Sequence, residues 1–300
     1  MGKIAVLFAG QGAQYEGMGK DFLTHSPAAE QVFQTADSIR PGTSVQCTTA
    51  PKEELGVTIN TQPCLFCADL AAAAALKEAG VKADMAAGFS LGEIPALAFA
   101  GLLDTREAFR FVVRRGILMD EAARAQGGGM LAVLKLDAAA VEALCADIPG
   151  CWPVNYNCPG QTVISCREDA LPTAEAAVKA QGGRSVRLAV SGAFHSPLMD
   201  SAAQALREEF SSLRFQTPAL PLYANVTGNV YENEEQLFRQ VNSPVRWQAA
   251  VERMAQAGAD TFIEVGPGKT LTGLTKKILP GARAFSVQDT AGLQAVLEVL

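Results

Sequence analysis

Apolar residues follow two rhythms along this chain. Short continuous runs such as Ile4-Ala5-Val6-Leu7-Phe8 and Met85-Ala86-Ala87 stop at glycine-containing loops. Other stretches repeat apolar positions every three or four residues. The runs predict strands covered on both faces, and the repeats predict amphipathic helices. On this reading a strand over 3–8 leads to helices around 20–38 and 62–79, a strand and turn at 85–90, and a helix capped by Asp104 that runs to about 125. Buried strands alternating with helices predict an α/β fold on a central parallel sheet.

The rhythm changes after Gly127-Gly128-Gly129. Strand (130–136), helix (138–147), strand (151–157), strand (161–166), helix (171–181) and strand (185–190) follow in turn. That βαββαβ order predicts a ferredoxin-like unit set into the larger domain. The α/β pattern then resumes, with helices near 197–212, 234–241 and 246–257 and strands at 221–225, 261–265 and 282–287. The predicted division is a main domain of residues 1–125 and 192–300 and an inserted subdomain of residues 126–191.

Composition narrows the function. With 49% hydrophobic and 19% charged residues among 300, the chain has ample material for a core. A net charge of −6 argues against nucleic acid as a partner. No run reads as a signal or membrane segment, so no membrane association is expected and the protein is expected to be soluble and cytoplasmic. Nothing in the sequence demands more than a monomer. Seven cysteines do not read as a disulfide framework. Cys64 and Cys67 form a C-x-x-C but share one face of a helix with no second pair, and read as small buried residues.

The candidate chemistry centres on Gly88-Phe89-Ser90-Leu91-Gly92-Glu93, a G-x-S-x-G sequence between a strand and a helix. Such a turn holds a serine hydroxyl out of the backbone, and a Cβ at either glycine would clash. A chance pentapeptide in a glycine-rich chain is the competing explanation. A nucleophilic serine needs a base, and only two histidines are present, His25 and His195. His25 lies at a polar helix end. His195 follows a strand-like run and precedes Ser196 and Pro197, which predict a helix N-terminus; its positive end should favour neutral imidazole. On the helix from Thr105, Arg114 shares a solvated stripe with Arg110 and Glu121, whereas Arg115 falls on the apolar stripe with Ala108, Phe111, Val112 and Met119. A guanidinium there needs either a buried carboxylate or an anionic ligand. Two glycine-rich stretches, Gly10-Gln11-Gly12 and Gly266-Pro267-Gly268-Lys269-Thr270, miss the spacing of nucleotide-binding loops.

Several motifs occur together in order: Phe8-Ala9-Gly10-Gln11-Gly12-Ala13-Gln14, the serine turn with Glu93, Arg115-Gly116, Gly192-Ala193-Phe194-His195-Ser196, Asn225-Val226, Gln240 ahead of Ser243-Pro244-Val245-Arg246-Trp247, and Glu264-Val265-Gly266-Pro267-Gly268. From Ile4 to about residue 290 the chain resembles the malonyl-CoA:acyl carrier protein transacylase family. The resemblance implies an α/β-hydrolase-like domain with a ferredoxin-like insert. It also implies malonyl transfer from malonyl-CoA to the phosphopantetheine thiol of acyl carrier protein, in fatty acid synthesis, through a malonyl-serine. It assigns Ser90 as nucleophile, His195 as base, the N–H groups of Gln11 and Leu91 as oxyanion donors, and Arg115 to the malonyl carboxylate. The main-chain carbonyl of Gln240 would orient His195, and Phe89, Phe194 and Asn225 would border the acyl pocket. No cofactor is implied; the CoA thioester is a substrate. Phe89 departs from the family, which usually has histidine there. A serine esterase or thioesterase, a non-catalytic docking module, and an acyltransferase of a polyketide or polyunsaturated-lipid pathway remain as alternatives. Lys269, Lys276, Lys277 and Arg187 are candidate carrier contacts by charge alone.

Overall fold

The computed structural model describes residues 2–300. Nine strands form two sheets among the described residues. In the first, β1 (Lys3–Phe8) lies between β2 (Met85–Gly88) and β8 (Ala259–Val265), with β7 (Leu222–Tyr223) outside β2 and β9 (Arg283–Val287) outside β8. All of its pairings are parallel. From Ile4 to Phe8, β1 is wholly buried, as expected of a strand with helices against both faces. The second sheet contains β3 (Gly129–Leu134), β4 (Cys151–Cys158), β5 (Gln161–Cys166) and β6 (Arg184–Arg187). Its order is β4-β5-β3-β6, all antiparallel, with the helices Ala138–Ala146 and Leu171–Ala180 on it in ferredoxin-like order.

Several expected elements are bounded differently. The expected helix over 20–38 is two, Lys20–His25 and Pro27–Asp37, divided at Ser26. Ser26 takes extended backbone angles and accepts a hydrogen bond from the Ala29 N–H, so it caps a new helix. The helix expected from 62 begins four residues earlier, as Thr58–Glu78. It is long and apolar enough to cross a membrane, yet 83% of its apolar window is buried within the fold, which makes it the central core helix. The strand expected over 185–190 ends at Arg187, and Leu188 and Val190 instead border a cavity. The helix expected over 197–212 begins as a 3-10 turn, Pro197–Met199, and continues as Asp200–Glu209. Helices Thr43–Thr49, Lys52–Leu55 and Thr290–Leu297 carry too little periodicity to have been anticipated.

The asparagine, arginine and histidine of the site all depend on this layering. β2 delivers the serine turn to the C-terminal edge of the parallel sheet. Helix Thr105–Gln126, capped by the Asp104 side chain as expected, passes beside it. The antiparallel sheet closes over the same edge.

Candidate active site

The turn after β2 is tight because two backbones nearly touch. A Cβ built on Gly88 would lie 2.1 Å from the Gly92 carbonyl carbon, and one on Gly92 would lie 2.2 Å from the Phe8 oxygen. Only glycine fits either position. Ser90 starts a 3-10 turn, Ser90–Gly92, that runs into the helix Glu93–Phe99. Its φ of 53° is left-handed, a strained geometry for a side-chain-bearing residue. His195 shares this property, with φ 61°.

Asn225 holds the strained turn. Its Oδ1 accepts from the Ser90 N–H at 2.7 Å, and its Nδ2 donates to the Gly88 carbonyl at 2.6 Å. Its own N–H donates to Glu93 Oε1 at 2.7 Å. The expectation that Asn225 borders the acyl pocket is corrected: it lies behind the turn and is absent from the cavity wall. Replacing Asn225 with alanine removes the side-chain partner of the half-buried Ser90 N–H and of the buried Gly88 carbonyl. We expect about 2 kcal/mol of lost stability, visible as a lower Tm, with kcat falling more than KM changes. An unchanged Tm and kcat would show that the brace is idle.

The hydroxyl of Ser90 lies 2.7 Å from Nε2 of His195, and Nδ1 of His195 lies 2.9 Å from the main-chain oxygen of Gln240. The carbonyl can only accept, so Nδ1 carries the proton and Nε2 is free to accept from the serine. His195 is fully buried, and its pKa is lowered to about 4, first by burial and then by the nearby Arg115 charge. Neutral imidazole was expected, but from a helix N-terminus. Pro197–Met199 is only a 3-10 turn, and loss of solvation does most of the work. The acid limb of a pH–rate profile in which His195 acts as the base is therefore expected near pH 4, well below the 6.5 of free histidine. Glu93, buried and with its pKa raised to about 7 by desolvation, titrates nearby. The Glu93→Gln variant should keep the limb near pH 4, which assigns it to His195; a limb at 6.5 would mean a solvated base.

Arg115 decides between the alternatives left by its helical position. It is 1% exposed and forms no ion pair with a carboxylate of the described residues. Nη1 donates to Gln62 Oε1 at 2.8 Å, and Nη2 donates to Gln240 Oε1 at 2.8 Å and to Ser90 Oγ at 3.3 Å. Nε has no partner. Neutral amides orient the guanidinium without cancelling its charge. Of the two partners that its helical position calls for, a protein carboxylate in ion-pair contact is absent among the described residues, and the place of an anionic ligand stays open. By contrast, Arg114 pairs with Glu209 at the surface, as its stripe predicted.

These groups border a cavity of about 270 Å³ between the two sheets. Its wall includes Gln11, Phe89, Ser90, Arg115, Phe194 and His195 from the larger unit, with Met130, Asn155 and Val163 from the antiparallel sheet. Phe89 packs edge-on against Trp247 with ring centroids 5.5 Å apart, which fixes where it meets the cavity. The Gln11 N–H donates to no protein acceptor among the described residues. Leu91 is fully buried within the first turn after Ser90, where N–H groups have no partner inside the helix. Glu264, on the wall beside them, accepts from the N–H groups of Leu271 and Thr272 and so caps the helix Thr270–Ile278. Cys64 and Cys67 are buried free thiols, and no metal-binding cluster occurs among the described residues.

An acyl transferase domain model matches residues 6–294. The malonyl CoA-acyl carrier protein transacylase of Escherichia coli (strain K12) is 39% identical over 310 aligned positions, covering 100% of both chains. The chain belongs to the malonyl CoA-acyl carrier protein transacylase family. The crystal structure of the family member from Clostridium perfringens superposes with a TM-score of 0.95 at 36% identity, covering 99% of this chain and 96% of that one. A malonyl-transacylase solved in complex with its holo type II PKS acyl-carrier protein gives 0.94 at 37% identity, covering 99% and 100%.

Within this family frame, the contribution of Gln62 went unread in the sequence. Its signal was available: an amide in the otherwise apolar helix Thr58–Glu78, buried completely. The side chain of Gln240 was also missed. Besides accepting from Arg115, it donates through Nε2 to the Ser90 carbonyl, so one residue orients histidine, arginine and serine together.

Proposed function

We propose that this chain transfers malonyl from malonyl-CoA to the phosphopantetheine thiol of acyl carrier protein by way of a malonyl-serine at Ser90. The observation that carries the reading is Arg115, a buried cation with no carboxylate in ion-pair contact and only buried Glu93 acting on it from further off, 3.3 Å from the hydroxyl of a serine paired with histidine. A malonyl carboxylate on Arg115 supplies the anion in direct contact that the fold does not provide, and sets the thioester carbonyl beside Ser90 Oγ. Occupying Arg115 also removes its repulsion of imidazolium, so His195 becomes a stronger base once the substrate is bound.

Ser90 Oγ attacks the thioester carbonyl while its proton passes to Nε2 of His195. The resulting oxyanion accepts from the N–H groups of Gln11 and Leu91, each donor lowering the barrier by roughly 3 kcal/mol. The carbon–sulfur bond breaks, and CoA leaves as the thiol with the proton from His195. The carrier thiol then attacks malonyl-Ser90 by the same steps in reverse, giving ping-pong kinetics. None of these steps draws on a cofactor. A cavity of about 270 Å³ suits an acyl group and the thiol end of its carrier, and its apolar wall disfavours water at the second step.

Carrier protein as the second substrate is supported by the solved complex of the similar transacylase. Of the basic residues weighed as contacts, Arg187 is engaged by Glu175 at 2.7 Å, while Lys269, Lys276 and Lys277 are exposed around the helix Thr270–Ile278 beside the cavity. These three are the better candidates. Seven free cysteines suit the reducing cytoplasm, and the exposed large apolar side chains, such as Val45, Val186 and Val230, are few and spread along the chain, as for a monomer without nucleic-acid or membrane partners.

The test is a panel of acyl-CoA thioesters with and without carrier protein, read by intact mass. A malonyl adduct on Ser90 that moves to carrier supports the reading. Free malonate released without transfer would instead make the chain a hydrolase.

A further inference from the structure

Three of the seven cysteines meet in the smaller domain, and the reaction uses none of them. Cys151 Sγ lies 2.9 Å from Cys166 Sγ and 3.6 Å from Cys145 Sγ. Cys151 opens β4, Cys166 closes β5, and Cys145 comes from the helix Ala138–Ala146 that covers them. All three belong to one buried apolar cluster with Leu131, Ile164 and Val178.

The strand register makes the first pair special. Cys151 stands directly opposite Cys166 in the antiparallel ladder. The Arg167 N–H donates to the Gly150 oxygen, so the neighbouring pair is the hydrogen-bonded one. The Cys151 N–H turns away to the Ile148 oxygen. Cys151 and Cys166 therefore form a non-hydrogen-bonded pair, where facing Cα atoms are about 4.5 Å apart and side chains are closest. That spacing falls within the range that a disulfide spans, at its short end, which favours a bond that is readily reduced.

We propose that Cys151 and Cys166 are an oxidisable dithiol that closes to a cross-strand disulfide when peroxide reaches the edge strand β4. Cys151 is the attacking sulfur. It stands between the other two sulfurs, so both neighbouring thiols can donate to it and draw its pKa down, and it lies on the edge strand of its sheet. The Cys151 thiolate attacks one peroxide oxygen; a sulfur–oxygen bond forms, the oxygen–oxygen bond breaks, and water departs after protonation. Cys166 then attacks the sulfenic sulfur; the sulfur–sulfur bond forms and a second water leaves. Two thiols lose two electrons and two protons, and one peroxide becomes two waters.

The bridge has a direct route to the active site. Ser165, next to Cys166, donates through its hydroxyl to the Phe194 carbonyl at 2.6 Å. Phe194 immediately precedes His195, whose left-handed backbone tolerates little displacement. Drawing the end of β5 towards β4 shifts this anchor, so the bridged enzyme turns over more slowly.

The full chain, reduced and then treated with equimolar hydrogen peroxide, is alkylated and mapped by mass spectrometry. The expected product is the Cys151 peptide joined to the Cys166 peptide, two hydrogens lighter than their sum. Transferase activity should fall in proportion to the bridged fraction, return with dithiothreitol, and resist the same peroxide in Cys166→Ala and in Cys151→Ala. Unlinked Cys151, Cys151 carried to sulfinic acid without a bridge, or a Cys145–Cys151 link overturns the dithiol assignment. A bridged protein with undiminished turnover overturns the route through Ser165. The slowing rests on the proposed transfer reaction, but the bridge is read by mass alone, so its failure and a failure of malonyl transfer are separate results.

Discussion

Replacing Ser90 with alanine is expected to lower malonyl transfer by at least ~10⁴-fold, because the covalent route has no second nucleophile to take over. Oγ is the atom that both His195 Nε2 and Arg115 Nη2 address, at 2.7 and 3.3 Å. The change removes one hydroxyl and leaves the backbone brace from Asn225 intact. Tm should therefore move by only about 2–4 °C, the equivalent of roughly 1 kcal/mol. Malonyl-CoA should leave no covalent adduct on the variant, whereas binding of the thioester should persist. A docking module without chemistry would lose nothing on this substitution, so residual activity within tenfold of the parent would refute the nucleophile.

The second large effect belongs to Arg115. The Arg115→Ala variant should lose about a hundredfold in kcat/KM for malonyl-CoA, about 3 kcal/mol, the range of a charge-assisted hydrogen bond to a carboxylate. Acetyl-CoA, which offers no carboxylate, should lose little or gain relative to the parent. The ratio of the two substrates isolates the carboxylate contact, because any general damage from emptying a buried site acts on both. Arg115→Lys should rescue only part of the loss: an ammonium cannot reproduce the planar fork that Gln62 and Gln240 hold in place. Equal losses for the two acyl groups would remove Arg115 from substrate recognition and leave it as a structural cation.

Much of the architecture was legible because it is local. Continuous apolar runs marked β1 and β2, and the change of rhythm after Gly127 marked the smaller sheet. The serine turn was legible because its two glycines have a steric cause that shows in the structure as backbone atoms about 2 Å from where their Cβ atoms would be. Boundaries were less so. Ser26 divides a helix through a capping hydrogen bond that periodicity does not register, and Thr58 begins a helix whose apolar run starts several residues later.

The sequence by itself determined which groups were available: one serine in a glycine-framed turn, one histidine between a strand-like run and a helix start, and one arginine on an apolar helical stripe. It also determined that an arginine so positioned needed a negative partner, since burial of a cation is costly wherever it occurs. Only the tertiary structure decided what surrounds each group. Gln62, Gln240 and Asn225 reach Arg115 and Ser90 across 53, 125 and 135 residues of chain. Such contacts leave no periodic trace, because each is one residue set by the packing of a whole layer. The structure also replaced a helix end with burial as the reason His195 stays neutral, and showed Arg115 held by two amides with no carboxylate in ion-pair contact. Sign and identity of charge are written in the residues; solvation and partners are properties of the packed fold.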